Sequence, residues 1–201
     1  DPVFSEEMMG VGFAIDPAIP EATEMMDHGQ LDEALTTLQN FIAVNPNSVE
    51  GYALLQQVYW RQQAMPQYHE TTVKLCTLHL KAREYDVAWQ NYEDFLASGG
   101  KNIPAATWLD LCRAAEEQQA YDRALSEYDK LIAMYPKERQ SLMAQIAAGR
   151  LCAQRLNRPQ DALKYYEAAQ TSPVPHLDLE MNIEAGIREA KKVMAGAART
   201  V

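Results

Sequence analysis

Between Trp108 and Pro136, two apolar stripes of helical period follow one another with only a short polar turn between them. Trp108, Leu111, Cys112 and Ala115 recur at three and four residues and share one face of a first helix, while Ala124, Tyr128 and Leu131 share one face of a second. Stripes this close along the chain bury themselves most simply against each other, so the stretch folds as a helical hairpin. The small side chain of Ala124 lets the two helices approach, the larger ones beside it fill the space, and Pro136 stops the second helix. No stretch alternates polar and apolar residues at period two, so no strands are predicted.

The same signature recurs along the chain. From Pro20 a short helix reaches His28 and Gly29, and Gln30 to Val44 follows with Ala34, Leu38 and Phe41 inward and Asn45-Pro46 as its stop. Ser48 is placed to cap a helix running to Gln63, and Pro66 starts another that carries Tyr68, Thr72, Leu75, Leu78 and Ala82. A helix from Tyr85 has Ala88, Tyr92 and Phe95 on one face and ends at Ser98-Gly99-Gly100. Beyond Pro136, Glu138 to Leu156 and Gln160 to Gln170 form a further pair, with Ala162, Tyr166 and Ala169 inward. Ser172-Pro-Val-Pro175 breaks the chain, and Asp178 is expected to cap a last helix whose Leu179, Ile183, Ile187, Ala190 and Met194 make one stripe.

Trp, Leu, a small residue and an aromatic, then Ala, aromatic, Ala and a closing Pro over about 34 residues is the pattern of tetratricopeptide repeats, which Trp108 to Pro136 resembles. Cys112 and Ala115 stand where that family usually has Gly and Tyr, and Gly149 and Arg150 depart from it in the next copy. The resemblance implies an all-α fold, a right-handed superhelical stack of about ten antiparallel helices over 20–195, capped by a helix over 178–195. Residues 1–19 read as an extended leader, in which the apolar run Met8 to Ile15 is either linker or strap, and 196–201 as a tail. The middle is irregular. Ala88 to Ala124 spans 36 residues and Ala124 to Ala162 spans 38, but Ala34 to Ala88 spans 54, one helix too many for strict alternation unless the segment 66–83 serves two hairpins.

Charge narrows the partners. With 18 basic against 28 acidic residues the net charge is −10, which disfavours nucleic acid and favours a basic or amphipathic protein or peptide. Met8 to Ile15 is far shorter than the roughly 18 apolar residues that span a bilayer. Cys76, Cys112 and Cys152 each sit among apolar residues and read as buried thiols in a reducing, cytoplasmic setting. Cys76 and His79 lie three apart, too few ligands for a metal site, and Glu116-Glu117 diverge as adjacent helical residues. No nucleophile elbow, phosphate loop, dinucleotide fingerprint or paired-cysteine motif is present, so neither catalysis nor a cofactor is expected.

What the family likeness implies is binding, because the first helix of each pair lines the concave side where these arrays commonly receive a peptide or helix. Helix phase then puts Gln57, Trp60 and Arg61, Leu109, Arg113 and Glu116, and Gln154 and Arg155 on that side. Trp60 beside Arg61 is the most informative pairing, an aromatic anchor next to a guanidinium. The Lys and Asn clamp with which one subtype grips a terminal carboxylate has no counterpart here. The start at Asp1 reads as an excised piece, and 88–190, with Leu-Asn-Arg-Pro-Gln-Asp-Ala-Leu and Ser-Pro-Val-Pro-His, faintly resembles tails of bacterial rhomboid-type proteases. That likeness implies an alternative role as the regulatory tail of a membrane-anchored enzyme, at the cytoplasmic face of its membrane.

Overall fold

A computed structural model describes residues 16–198; the apolar run Met8 to Ile15 lies outside it. The described residues hold ten α-helices and no strand: α1 (Ala18–Asp27), α2 (Leu31–Val44), α3 (Val49–Arg61), α4 (Met65–Lys81), α5 (Tyr85–Ala97), α6 (Ala105–Glu117), α7 (Tyr121–Met134), α8 (Arg139–Gln154), α9 (Pro159–Gln170) and α10 (Glu180–Ala198). They form two compact units that divide between Leu78 and His79, near the end of α4.

One backbone device makes the hairpins. The chain takes a left-handed conformation at Gly29 (φ 76°), Gln63 (φ 56°), Arg83 (φ 61°) and Gln119 (φ 60°), three of them without glycine's freedom. In each case the next N–H reaches five residues back to close the preceding helix: Gln30 to Met25 O at 2.8 Å, Ala64 to Tyr59 O at 2.9 Å, Glu84 to His79 O at 2.9 Å and Ala120 to Ala115 O at 2.8 Å. Helix α4 has this turn at both ends, after Gln63 and at Arg83. The same turn therefore stands on either side of the extra helix that lengthens the interval from Ala34 to Ala88. The Ser48 cap is made, its Oγ accepting from Gly51 N at 3.0 Å. Asp178 does something else. It lies in a short 3-10 turn, Leu177–Leu179, and accepts from Arg139 Nη2 at 2.5 Å, tying the start of α8 to the approach to α10.

In the first unit Ala22 and Met26 of α1, Ala34, Leu38 and Phe41 of α2, and Leu55 and Val58 of α3 form one apolar cluster. The second unit stacks α5 to α10 in order, and α6 and α8, then α8 and α10, also touch, so the first helices of successive pairs are neighbours. Its upper part is organised by Glu127 of α7, only 6% exposed. The Oε2 of Glu127 accepts from Trp108 Nε1 of α6 at 2.8 Å and from the Tyr92 hydroxyl of α5 at 3.0 Å, and Lys130 Nζ donates to Oε1 at 2.7 Å. Around this carboxylate the rings of Trp89, Tyr92, Trp108 and Tyr135 follow one another at centroid distances of 5.7, 6.3 and 6.3 Å. The lower part is organised by Tyr166 of α9, whose ring fills the space beside Gly149 of α8 and Gly186 of α10. The departure from the repeat pattern at Gly149 is thus a packing answer: a β-carbon there would sit 3.0 Å from the Tyr166 ring.

All three cysteines are free and buried. Burial pushes the thiol of Cys76 from 9.0 up to about 12 and that of Cys152 up to about 11, and raises Cys112 as well.

Gly186→Ala drives a β-carbon into the Tyr166 ring and is expected to cost about 1–3 kcal/mol in urea unfolding. Glu127→Leu leaves the Trp108 N–H and Tyr92 hydroxyl unpaired and is expected to cost about 2–4 kcal/mol by the same measurement, with Glu127→Gln losing less because one acceptor oxygen remains. Because the folded state favours the neutral thiols, their contribution to stability is full below the unfolded value of 9.0 and is lost as pH rises through about 11 to 12. A thiol reagent at about pH 8 should therefore label the chain only on unfolding.

Candidate partner-binding surfaces

The three residues expected on the first-unit surface lie together at the end of α3, where Gln57, Trp60 and Arg61 are all exposed. Trp60 keeps 55% of its surface open to solvent, whereas Trp89 and Trp108 are buried. The Trp60 ring is not loose, because it leans on Tyr68 of α4 with centroids 5.1 Å apart at 52°. Tyr68 in turn meets the His69 ring at 5.9 Å. Tyr68 occupies the fourth position of its helix, as Ala34, Ala88 and Ala124 do of theirs. A bulky ring at the place of a small residue holds the indole outward, which a search for small-residue spacing passes over. Arg61 is partly committed, since its Nη1 donates to Met26 O at 3.0 Å and joins α3 to the end of α1.

The five residues expected in the second unit do not form one open surface. Leu109 of α6 is buried, 4% exposed. Helix phase explains this: Leu109 follows Trp108 directly, and α6 is covered on more than one side, burying Thr107 to Leu109 in a row. Glu116 is half-buried and engaged. It accepts from the Tyr128 hydroxyl at 2.5 Å and from Arg150 Nη2 at 3.0 and 3.2 Å, so it braces α6 to α7 and α8. Arg150, which breaks the repeat pattern, is present as the partner of that brace. Burial is the first cause, and Glu116 the second, of the raised Tyr128 hydroxyl.

Arg113 is exposed and pairs within its helix with Asp110 at 3.3 Å. It borders a shallow depression of about 180 Å³ with Leu80, Lys81 and Tyr85. At its edge Glu117 accepts from Arg83 and from the Tyr85 hydroxyl, at 2.6 Å for the latter, and Tyr85 is the first cause of its lowered carboxyl. Gln154 and Arg155 are exposed at the end of α8. Gln154 borders a cleft of about 540 Å³ between α8 and α10, whose walls include Ile146, Arg150 and Val193, and the Arg155 guanidinium lies 5.9 Å from the Tyr121 ring centroid.

Among the described residues no group of three or more His, Cys, Asp or Glu side chains is placed to hold a metal ion. His79, considered beside Cys76, has its Nδ1 2.5 Å from Glu84 Oε2. No described helix is long and apolar enough to cross a membrane.

No curated protein matches the chain. Among solved structures it is similar to MamA of AMB-1 (16% identity over 82% of this chain and 95% of that one, TM-score 0.44). A second MamA structure gives 18% identity, 75% and 93% coverage and a TM-score of 0.47. TTC0263, a thermophilic tetratricopeptide protein of Thermus thermophilus, gives 14% identity, 85% and 97% coverage and a TM-score of 0.46. The tetratricopeptide repeat profile matches residues 74–139 and 109–175, two overlapping stretches that begin 35 residues apart, one repeat, and together cover just over half the chain. The first begins within α4 and the second within α6. The chain belongs to the tetratricopeptide repeat family, a family of protein-interaction scaffolds.

Proposed function

We propose that this chain is a non-catalytic interaction module that receives a peptide or helix of a protein partner on its first-of-pair helices, with Trp60 as the principal anchor. The observation that carries this is a 55% exposed indole held outward by Tyr68, beside an arginine, on a chain whose two other tryptophans are buried. Indole and guanidinium side chains with a rigid support dominate interface energetics, because little rotamer freedom remains to be lost on binding. Gln57 in the first unit, and separately Arg113, Gln154 and Arg155 in the second, are the remaining exposed polar residues of this reading; Leu109 and Glu116 support it only through packing and bracing.

The net charge of −10 directs the reading toward a basic or amphipathic polypeptide and away from nucleic acid. Three free, buried cysteines suit a reducing compartment, so the module is assigned to the cytoplasm or to the cytoplasmic face of a membrane. No observation on the described residues favours the alternative of a tail on a rhomboid-type enzyme.

The test is affinity capture from the native source with the unaltered chain and with Trp60→Ala combined with Arg113→Ala. Capture should weaken by about tenfold, helical circular dichroism should stay the same, and addition of the captured partner should shift the emission of Trp60. Unchanged capture would reject this surface.

A further inference from the structure

A cleft of about 340 Å³ opens in the second unit between α7 and α9, on the side of the second-of-pair helices and away from the second-unit surfaces considered so far. Its walls are apolar, Leu125 and Ile132 from α7 facing the ring of Tyr165 from α9, with Asp129 and Asp161 also lining it. Lys164 and Ala168 of α9 and Gln145 of α8 complete the lining, and the Gln145 Oε1 is buried without a hydrogen-bond partner.

That amide is out of place by the chain's own pattern. Seven residues after the N-cap of its helix, α3 has Leu55 and α6 has Leu111, 2% and 0% exposed, and α8 has Gln145. A leucine position has become a buried acceptor. In the first unit a glutamine facing a neighbouring helix has its side-chain amide engaged, Gln56 Nε2 donating to Thr72 Oγ1 at 2.7 Å. An unpaired buried acceptor is destabilising, so it persists most readily where something else supplies the donor.

We propose that the α7–α9 cleft receives a lysine or arginine side chain of a partner polypeptide. The aliphatic stem lies along Leu125, Ile132 and the Tyr165 ring, and the cationic head donates to Gln145 Oε1 between the carboxylates of Asp129 and Asp161. The Tyr165 hydroxyl donates to Asp129 Oδ1 at 2.5 Å, which orients that carboxylate and leaves its second oxygen for an incoming donor. Lys164 pairs with Asp161 Oδ1 at 3.3 Å, but its side chain is 78% exposed, and a surface pair of this kind yields readily to a better-placed cation. An acidic side chain would be repelled by both aspartates. An apolar one would leave the Gln145 oxygen unpaired. The inference deepens the interaction-module reading by naming a chemistry the partner brings to a second surface, and it does not depend on Trp60.

The test titrates the ¹⁵N-labelled full chain with capped Ala-Ala-Xaa-Ala-Ala peptides in which the central residue is Lys, Arg, norleucine or Glu. The Lys and Arg peptides should shift the Gln145 side-chain amide and the backbone amides of Asp129 and Tyr165, and the norleucine and Glu peptides should not. Gln145→Leu should abolish the shifts while raising the Tm, because it restores the leucine of the other hairpins. Asp129→Asn with Asp161→Asn should weaken the Lys peptide by about tenfold. Absence of shifts with Lys and Arg, equal shifts with norleucine or Glu, or shifts that survive Gln145→Leu would each overturn the assignment. Peptide binding with intact Trp60-independent shifts, alongside unchanged capture by the Trp60 variant, would reject the Trp60 surface and keep this one.

Discussion

The second unit depends on a carboxylate kept out of water. Glu127 has given up most of its hydration, and the three donors around it, Trp108 Nε1, the Tyr92 hydroxyl and Lys130 Nζ, come from α5, α6 and α7. A buried charge is tolerated only when its lone pairs are met, so these helices must keep their register for Glu127 to be satisfied. Apolar packing alone would let α5 slide along α6 at small cost. The Glu127 cluster adds direction to packing that otherwise has none. It also explains why Trp108, the residue from which the repeat pattern is read, faces inward.

Further down the same unit, braces of the same type replace shape with directed bonds. Glu116 joins Tyr128 to Arg150, Asp129 takes Tyr165, and Arg139 takes Asp178, each between different elements of the stack. These bonds are what make Glu116 a structural residue. Where the braces are complete, the surface is committed to holding the stack. The proposed partner surfaces lie where one is missing, as at Gln145, and where a ring faces outward, as at Trp60 over Tyr68. The two candidate surfaces arise from opposite causes, a polar group placed too deep and an aromatic one placed too shallow.

Most of the helices could be read directly because each is amphipathic with a stop that acts locally: Asn45-Pro46, Gly99-Gly100 and Pro136 end helices through backbone geometry that needs no tertiary help. The left-handed turn at Gln63, Arg83 and Gln119 carries no glycine and no local signal. Nothing in the residues at Gln63 and Arg83 therefore marks where the helices flanking α4 turn. The candidate surface was legible only in part. Phase placed Gln57, Trp60 and Arg61 outward correctly as to exposure, yet it put Leu109 beside them. A helix covered on two sides buries more of its circumference than one stripe, and no periodicity within α6 records how many neighbours it has.

The sequence by itself determined the helices, the hairpin pairing outside the middle of the chain and the acidic balance, since period, proline and glycine stops, and charge are properties of short stretches. Tertiary structure alone decided what each outward residue does. Tyr166 makes sense of Gly149 only because α8, α9 and α10 converge on one ring. Glu116 is a brace because Arg150 lies across from it, and Gln145 is an unmet acceptor because no donor does. Exposure, bracing and an unpaired buried oxygen depend on which helices become neighbours, and that choice is made by packing between segments far apart in the chain.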